Sequence, residues 1–129
     1  MKNINKGHDI FVPKSSFVTD LPFGQKYEKE FKDVMYGKTE VKTDRLCQKT
    51  GNLYVETESR GKPSGITTTD SDMWSFCLWK ENRERQIYIS IPTKILKKLM
   101  TKYPIKAGGD NYTSKGHIIP KEDLLNQTI

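Results

Sequence analysis

Cysteine and histidine are scarce in this chain, with two of each among 129 residues. Neither Cys47 nor Cys77 belongs to a C-x-x-C pair or has a histidine nearby, which argues against a zinc site. Both read as reduced, structural thiols. His8 falls in an N-terminal arm and His117 beside a strand, each read as a surface or structural residue. Long apolar runs are also missing: no stretch approaches the ~20 residues of a membrane-spanning helix. The opening MKNINKGHDI has no apolar stretch of the signal-peptide kind. These absences lead to the expectation of a cytoplasmic protein without a membrane partner. No internal repeat or low-complexity tract appears, and a hydrophobic share of 34% with a mean hydropathy of -0.73 sits on the polar side of globular. A chain of 129 residues is sized for one domain whose core stands without staples.

What the chain does have is positive charge. Its 22 Lys and Arg against 16 Asp and Glu leave a net +6 and a pI near 9.3, which permits a polyanionic partner. Position matters more than the total. Residues 94–106, KILKKLMTKYPIK, hold five lysines and no acid, while Ile95, Leu96, Leu99, Met100 and Tyr103 recur at helical spacing. The pattern predicts an amphipathic helix on which Lys94, Lys98 and Lys102 stand one turn apart and track phosphates, releasing counterions at each contact. A merely solvated lysine face is the competing reading. A membrane-surface helix is disfavoured, because so small a domain needs that apolar side for its core.

From the N-terminus, residues 1–20 mix Lys, Asn, Ser and Pro without a period and read as an arm, followed by a single domain over 21–129. Phe23, Tyr27, Phe31, Val34 and Met35 fall on one helical face, with Gly37 placed to end it. Strands are expected over 40–44 and 53–59, a short helix over 67–72, then strands over 74–79 and 86–91 joined by the charged turn 80–85. Pro92 stops the last of these, the basic helix follows, and 117–119 adds an edge strand after Gly108-Gly109. Trp74 and Trp79 flank Phe76 and read as core more than as base-stacking residues. The order is that of an α/β fold.

Chemistry concentrates in residues 44–65, DRLCQKTGNLYVETESRGKPSG. Asp44 closes the run Glu40-Val41-Lys42-Thr43, Thr50-Gly51-Asn52 supplies a turn, and the second strand alternates. Leu53, Val55 and Thr57 point one way, Tyr54, Glu56 and Glu58 the other. If the two runs pair as neighbours, Asp44 ends beside Glu56, and three clustered carboxylates call for a divalent cation among them. Oxygen-only ligation favours magnesium or manganese over zinc. Strand carboxylates are also the ordinary furniture of a solvated outer face, and the spacing alone does not separate the two readings.

The combined run resembles a phage-type member of the PD-(D/E)XK nuclease superfamily. The resemblance is carried by Asp44, the K-T-G-N turn at 49–52, the strand L-Y-V-E-T-E, the G-K-P-S-G-I segment at 61–66, T-T-x-x-D-x-W at 68–74, Gly108-Gly109-Asp110 and G-H-I-I-P at 116–120. It covers most of the chain beyond the first twenty residues. It implies a restriction-endonuclease-like core, a mixed central β-sheet flanked by helices. It also implies a metal-dependent DNA endonuclease that uses Mg2+, or Mn2+, to hydrolyse phosphodiester bonds in the host cytoplasm. Asp44 matches the motif aspartate and Glu56 the motif acid, while Glu58 stands where the pattern usually has lysine.

On that resemblance Asp44 and Glu56 hold the ion, and Glu58 takes a second ion or the water's proton. Glu28 joins the metal from the first helix, one turn after Gly24. Lys62 replaces the missing lysine if the Gly61-Lys62-Pro63 turn folds back over the carboxylates, and Ser64 with Gly65 lets a phosphate approach the backbone ahead of the next helix. The Glu58 departure keeps open a non-catalytic nucleic-acid-binding or partner-blocking phage protein of the same fold, and a ribonuclease is a third reading. Small nucleases of this fold choose substrates through loops and dimerisation, so a homodimer is among the expectations.

Overall fold

The computed structural model describes residues 14–126, so His8 lies outside the described residues. The chain divides into two compact units between Asp33 and Val34. The first is helical. Helix α1 (Lys14–Met35) starts inside the segment read as an arm and stops, as expected, just before Gly37, whose N–H donates to the Val34 carbonyl at 3.1 Å. Pro22 lies within it, and the Phe23 and Tyr27 rings meet edge to face with centroids 4.9 Å apart.

The unit from Val34 onward carries an α/β arrangement with a mixed and an antiparallel sheet. Strand β1 (Thr39–Asp44) runs parallel to β4 (Met73–Leu78), and β4 is antiparallel to β5 (Ile87–Pro92). Every residue of β4 is buried, the pattern of a middle strand covered on both faces. The second sheet has the order β3-β2-β7-β6, from Lys62–Pro63, Asn52–Ser59, Ser114–Pro120 and Ile105–Gly108, with each pair antiparallel. One central mixed sheet was the expectation, and two sheets are what the chain builds. As a result β1 and β2 are not neighbours. The short helical turn α2 (Cys47–Thr50) carries the chain from the first sheet to the second, and Gly51, at φ 77°, ends it in the left-handed conformation.

The sheets share one core. Trp74, Phe76 and Leu78 of β4 pack with Leu53 and Val55 of β2, Ile119 of β7 and Leu96 of helix α3 (Thr93–Met100). Each such side chain, removed from water, contributes roughly 1.5–3 kcal/mol. Helix α3 is amphipathic as its spacing predicts, with Leu96 and Leu99 buried and Lys94, Lys97 and Lys98 exposed. It is shorter than residues 94–106, because Pro104 has no N–H to continue it and Ile105 and Lys106 enter β6. Lys102 therefore lies past the helix and does not share one helical face with Lys94 and Lys98.

Strand β7 is not an edge strand but lies between β2 and β6. Its His117 is buried, with Nδ1 2.8 Å from the Tyr103 carbonyl oxygen, a structural role. In place of a helix over 67–72 there is a single 3-10 turn, Gly65–Thr67. No helix among the described residues is long and apolar enough to cross a membrane.

Candidate functional site

Strand β1, at the edge of its sheet, carries its charged residues on one face. Its alternation places Glu40, Lys42 and Asp44 on one face, in register with Trp74, Phe76 and Leu78 of β4, whereas Val41 on the other face is 54% exposed. The charged face is held by specific bonds. Glu40 accepts from Thr69 Oγ1 at 2.6 Å and pairs with Lys42 at 2.9 Å. The Thr69 hydrogen bond, ahead of the Lys42 charge, holds the Glu40 carboxyl below its ordinary range. Lys42 Nζ also lies 5.5 Å from the Trp74 ring centre. At the end of the strand Asp44 Oδ1 accepts the Leu46 N–H at 3.0 Å, an Asx turn that starts α2 and leaves Oδ2 without a hydrogen bond among the described residues.

Strand β2 contributes Glu56, and a bulge decides how. Between Glu56, opposite Gly116, and Glu58, opposite Lys115, one extra residue enters β2. The bulged Thr57 turns its carbonyl to the following loop, where Ser64 N–H at 3.0 Å and Thr67 Oγ1 at 2.9 Å donate to it. The expected sharing of a face by Glu56 and Glu58 therefore fails. Glu58 takes an ion pair with Lys115 at 3.9 Å, while Glu56 is gripped by two hydroxyls: Ser114 Oγ donates to Oε1 at 2.8 Å and Ser64 Oγ to Oε2 at 2.7 Å. Because Ser114 spends its proton on Glu56, it accepts from the Tyr54 hydroxyl at 2.7 Å, giving a chain from Tyr54 through Ser114 to the carboxylate.

Two glycines make this possible. Gly65 holds φ at +58°, and a Cβ there would strike the Glu56 carbonyl oxygen. At Gly116 a Cβ would strike the Tyr54 ring and the Val55 carbonyl.

Asp44 and Glu56, from different sheets, meet across a cavity of about 590 Å³ that Lys42, Arg45, Tyr54 and Asp110 also line, with Trp74 and Phe76 among its apolar walls. Asp110 comes from the turn after β6, where Gly109, Asn111 and Tyr112 all have positive φ. Its carboxylate has no hydrogen bond among the described residues. Arg45 stacks 5.2 Å from the centre of the Trp79 ring. A second hollow of about 300 Å³ adjoins the first and shares Asp44, Leu46, Tyr54 and Gly109 with it.

The residues singled out by sequence thus divide. Asp44 and Glu56 line one cavity, from different sheets. Glu58 lies outside the cavity lining, and so does Lys62, whose turn does not fold back: Lys62 pairs with Ser59 in the β2–β3 hairpin. Ser64 bonds Glu56 instead of offering its hydroxyl to a phosphate, and the turn behind it is too short for a helix N-terminal anion site. Glu28 pairs with Lys32 on its own helix at 2.9 Å, which holds its carboxyl below the usual range. Helix α3, with Lys94 and Lys98, lines neither hollow.

Lys42 and Asp110 were missed. Applying the two-residue alternation to T-E-V-K-T-D finds Lys42 on the Asp44 face, and Asp110 carries a signal in its Gly-Gly-Asp turn.

An oxygen-only donor set fits a hard cation such as magnesium. Asp44, Glu56 and Asp110 are the carboxylates that line the cavity, and among the described residues no three His, Cys, Asp or Glu side chains are grouped closely enough to hold a metal ion. No family model, curated protein or solved structure matches this chain.

Proposed function

We propose that this chain is a metal-dependent endonuclease that hydrolyses phosphodiester bonds of DNA at the cavity between β1 and β2. The observation carrying the reading is the meeting of Asp44 and Glu56, one from each sheet, in a hollow that also holds Lys42. Asp44, Glu56 and Asp110 are the residues to hold magnesium or manganese. These carboxylates would hold the ion, which would supply an acidified water and charge neutralisation for the phosphate oxygens.

The protein's own part is preorganisation. Ser114 and Ser64 fix both oxygens of Glu56, so the carboxylate needs no reorientation when substrate arrives. Lys42 takes the place that the resemblance gave to Lys62, offering its ammonium to a phosphate oxygen from within the cavity. Glu58, tied to Lys115, is not needed for the reaction in this reading. The net charge of +6 favours the approach of a polyanion over a wide surface.

The test is incubation with supercoiled, linear, single-stranded and four-way-junction DNA in magnesium, with EDTA controls, for the wild type and for Asp44→Asn and Asp110→Asn. Metal-dependent cutting that Asp44→Asn abolishes is the expected result. Cutting unchanged by Asp44→Asn refutes the site. A protein that binds these DNAs without cutting any of them is the non-catalytic binder of the alternative reading, and cleavage confined to RNA makes it a ribonuclease.

A further inference from the structure

The second hollow has the wrong walls for a phosphate. Leu46, Tyr54, Ala107, Gly108 and Ile118 line it with little charge, and its volume of about 300 Å³ suits a single flat ring system better than a strand of backbone. Yet it opens beside the carboxylates, sharing Asp44 and Tyr54 with their cavity. One wall carries Asn52, whose side-chain amide has no hydrogen bond among the described residues and which offers a donor and an acceptor together. Leu46, 63% exposed, stands at both hollows where a core residue of its kind would be covered.

We infer that this hollow receives one unpaired nucleobase of the strand whose phosphate lies at the Asp44–Glu56 cavity. Apolar walls accept the faces of the base, and the Asn52 amide reads an edge, as an amide does when it bonds an adenine. The inference rests on the nuclease reading for the identity of the neighbouring phosphate, and it adds a substrate class. A base stacked in a duplex reaches the hollow only by leaving the helix, so single strands, flaps and junctions with unpaired nucleotides are preferred over intact duplex. Gly108 is part of the device: a Cβ there would come within 3.0 Å of Cζ of the Tyr54 ring that walls the hollow.

Binding and cleavage are measured separately. In EDTA, a short single strand carrying 2-aminopurine at each position in turn reports by fluorescence whether one base is captured. The same strand with an abasic nucleotide at the responding position measures what capture contributes. Ala107→Phe fills the hollow from an exposed edge-strand position, and Asn52→Ala removes the amide; circular dichroism checks the fold of both.

Capture at one position, with each variant and the abasic strand weakening binding about tenfold, is the expected result. Equal affinity of the abasic strand, or of both folded variants, overturns the inference. If no DNA is cut but one base still responds, the nuclease reading fails and the hollow stands. If intact duplex is cut as fast as single strand and Ala107→Phe changes neither rate, the hollow fails and the nuclease reading stands.

Discussion

Removing the Ser114 hydroxyl unties two groups at once. Ser114 is 4% exposed, donates to Glu56 Oε1 at 2.8 Å and accepts from Tyr54 at 2.7 Å. A hydrogen bond to a charged acceptor contributes about 1.5–3 kcal/mol and a neutral one about 1 kcal/mol. The Glu56 carboxylate borders an open cavity, so water replaces part of what it loses. Ser114→Ala should therefore cost about 2 kcal/mol, which for a domain of this size lowers Tm by roughly 6–10 °C. Thermal melts of the wild type, Ser114→Ala, Glu56→Gln and the double variant form a cycle. A coupling of about 1 kcal/mol or more between the two positions is expected, because the partners touch. Cleavage should fall in the single serine variant by more than its loss of folded protein explains, since Glu56 is then held by the Ser64 hydroxyl on one oxygen only. A Tm within a degree of the wild type and zero coupling would show that Ser114 does not hold Glu56, and the preorganisation argument would go with it.

Lys42→Met should slow cleavage by about tenfold to a hundredfold, whereas Lys62→Ala should leave it unchanged; single-turnover rates on one DNA decide, and the opposite order of effects returns the cationic role to Lys62. Glu40 titrates below its ordinary range because of Thr69 and Lys42, so its contribution to stability is present above the usual carboxylate pKa and lost as pH falls through the depressed one. Urea melts between pH 6 and pH 3 should accordingly show a shallower acid loss for Glu40→Gln than for the wild type, and parallel curves would contradict the assignment. Replacing Lys94, Lys97 and Lys98 by Gln should flatten the log-log salt dependence of DNA binding by up to ~3 units if α3 tracks phosphates. An unchanged slope makes its exposed lysines a solvated face only.

Most of the secondary structure was legible because strong local signals agreed with the tertiary outcome. Strand β4 reads as a short apolar run because both its faces are covered, and β5 alternates isoleucine with Tyr88 and Ser90 as a strand with two different faces does. The basic helix was overextended because lysine and leucine continue at helical spacing past Met100. Pro104 is the local signal against it, and pairing of Ile105–Gly108 with β7 decides the matter through contacts distant in sequence. His117 looked like part of an edge strand for a related reason: nothing in its neighbourhood announces that both β2 and β6 flank it.

The candidate site was half legible, and the half that was missed follows from one assumption about pairing. Taking β1 and β2 as adjacent strands placed Asp44 beside Glu56 by hydrogen-bond register, yet the two belong to different sheets and face one cavity, with α2 turning the corner between the sheets. The bulge at Thr57 was invisible to alternation because it is imposed from outside, by the Ser64 and Thr67 donors that capture the Thr57 carbonyl. Strict alternation carried Glu58 into the site and the bulge takes it out. Alternation does hold along β1, where it puts Glu40, Lys42 and Asp44 toward the core side and leaves Val41 exposed. Val41 is exposed while Glu40 and Asp44 are half-buried and Lys42 is exposed beside the cavity, and half-buried carboxylates persist where they have partners. Glu40 has Thr69 and Lys42, Asp44 has the Leu46 amide, and the space in front of Lys42 and Asp44 is open to a ligand. The charged face of β1, more than the count of acids around it, is the feature on which the proposed site rests.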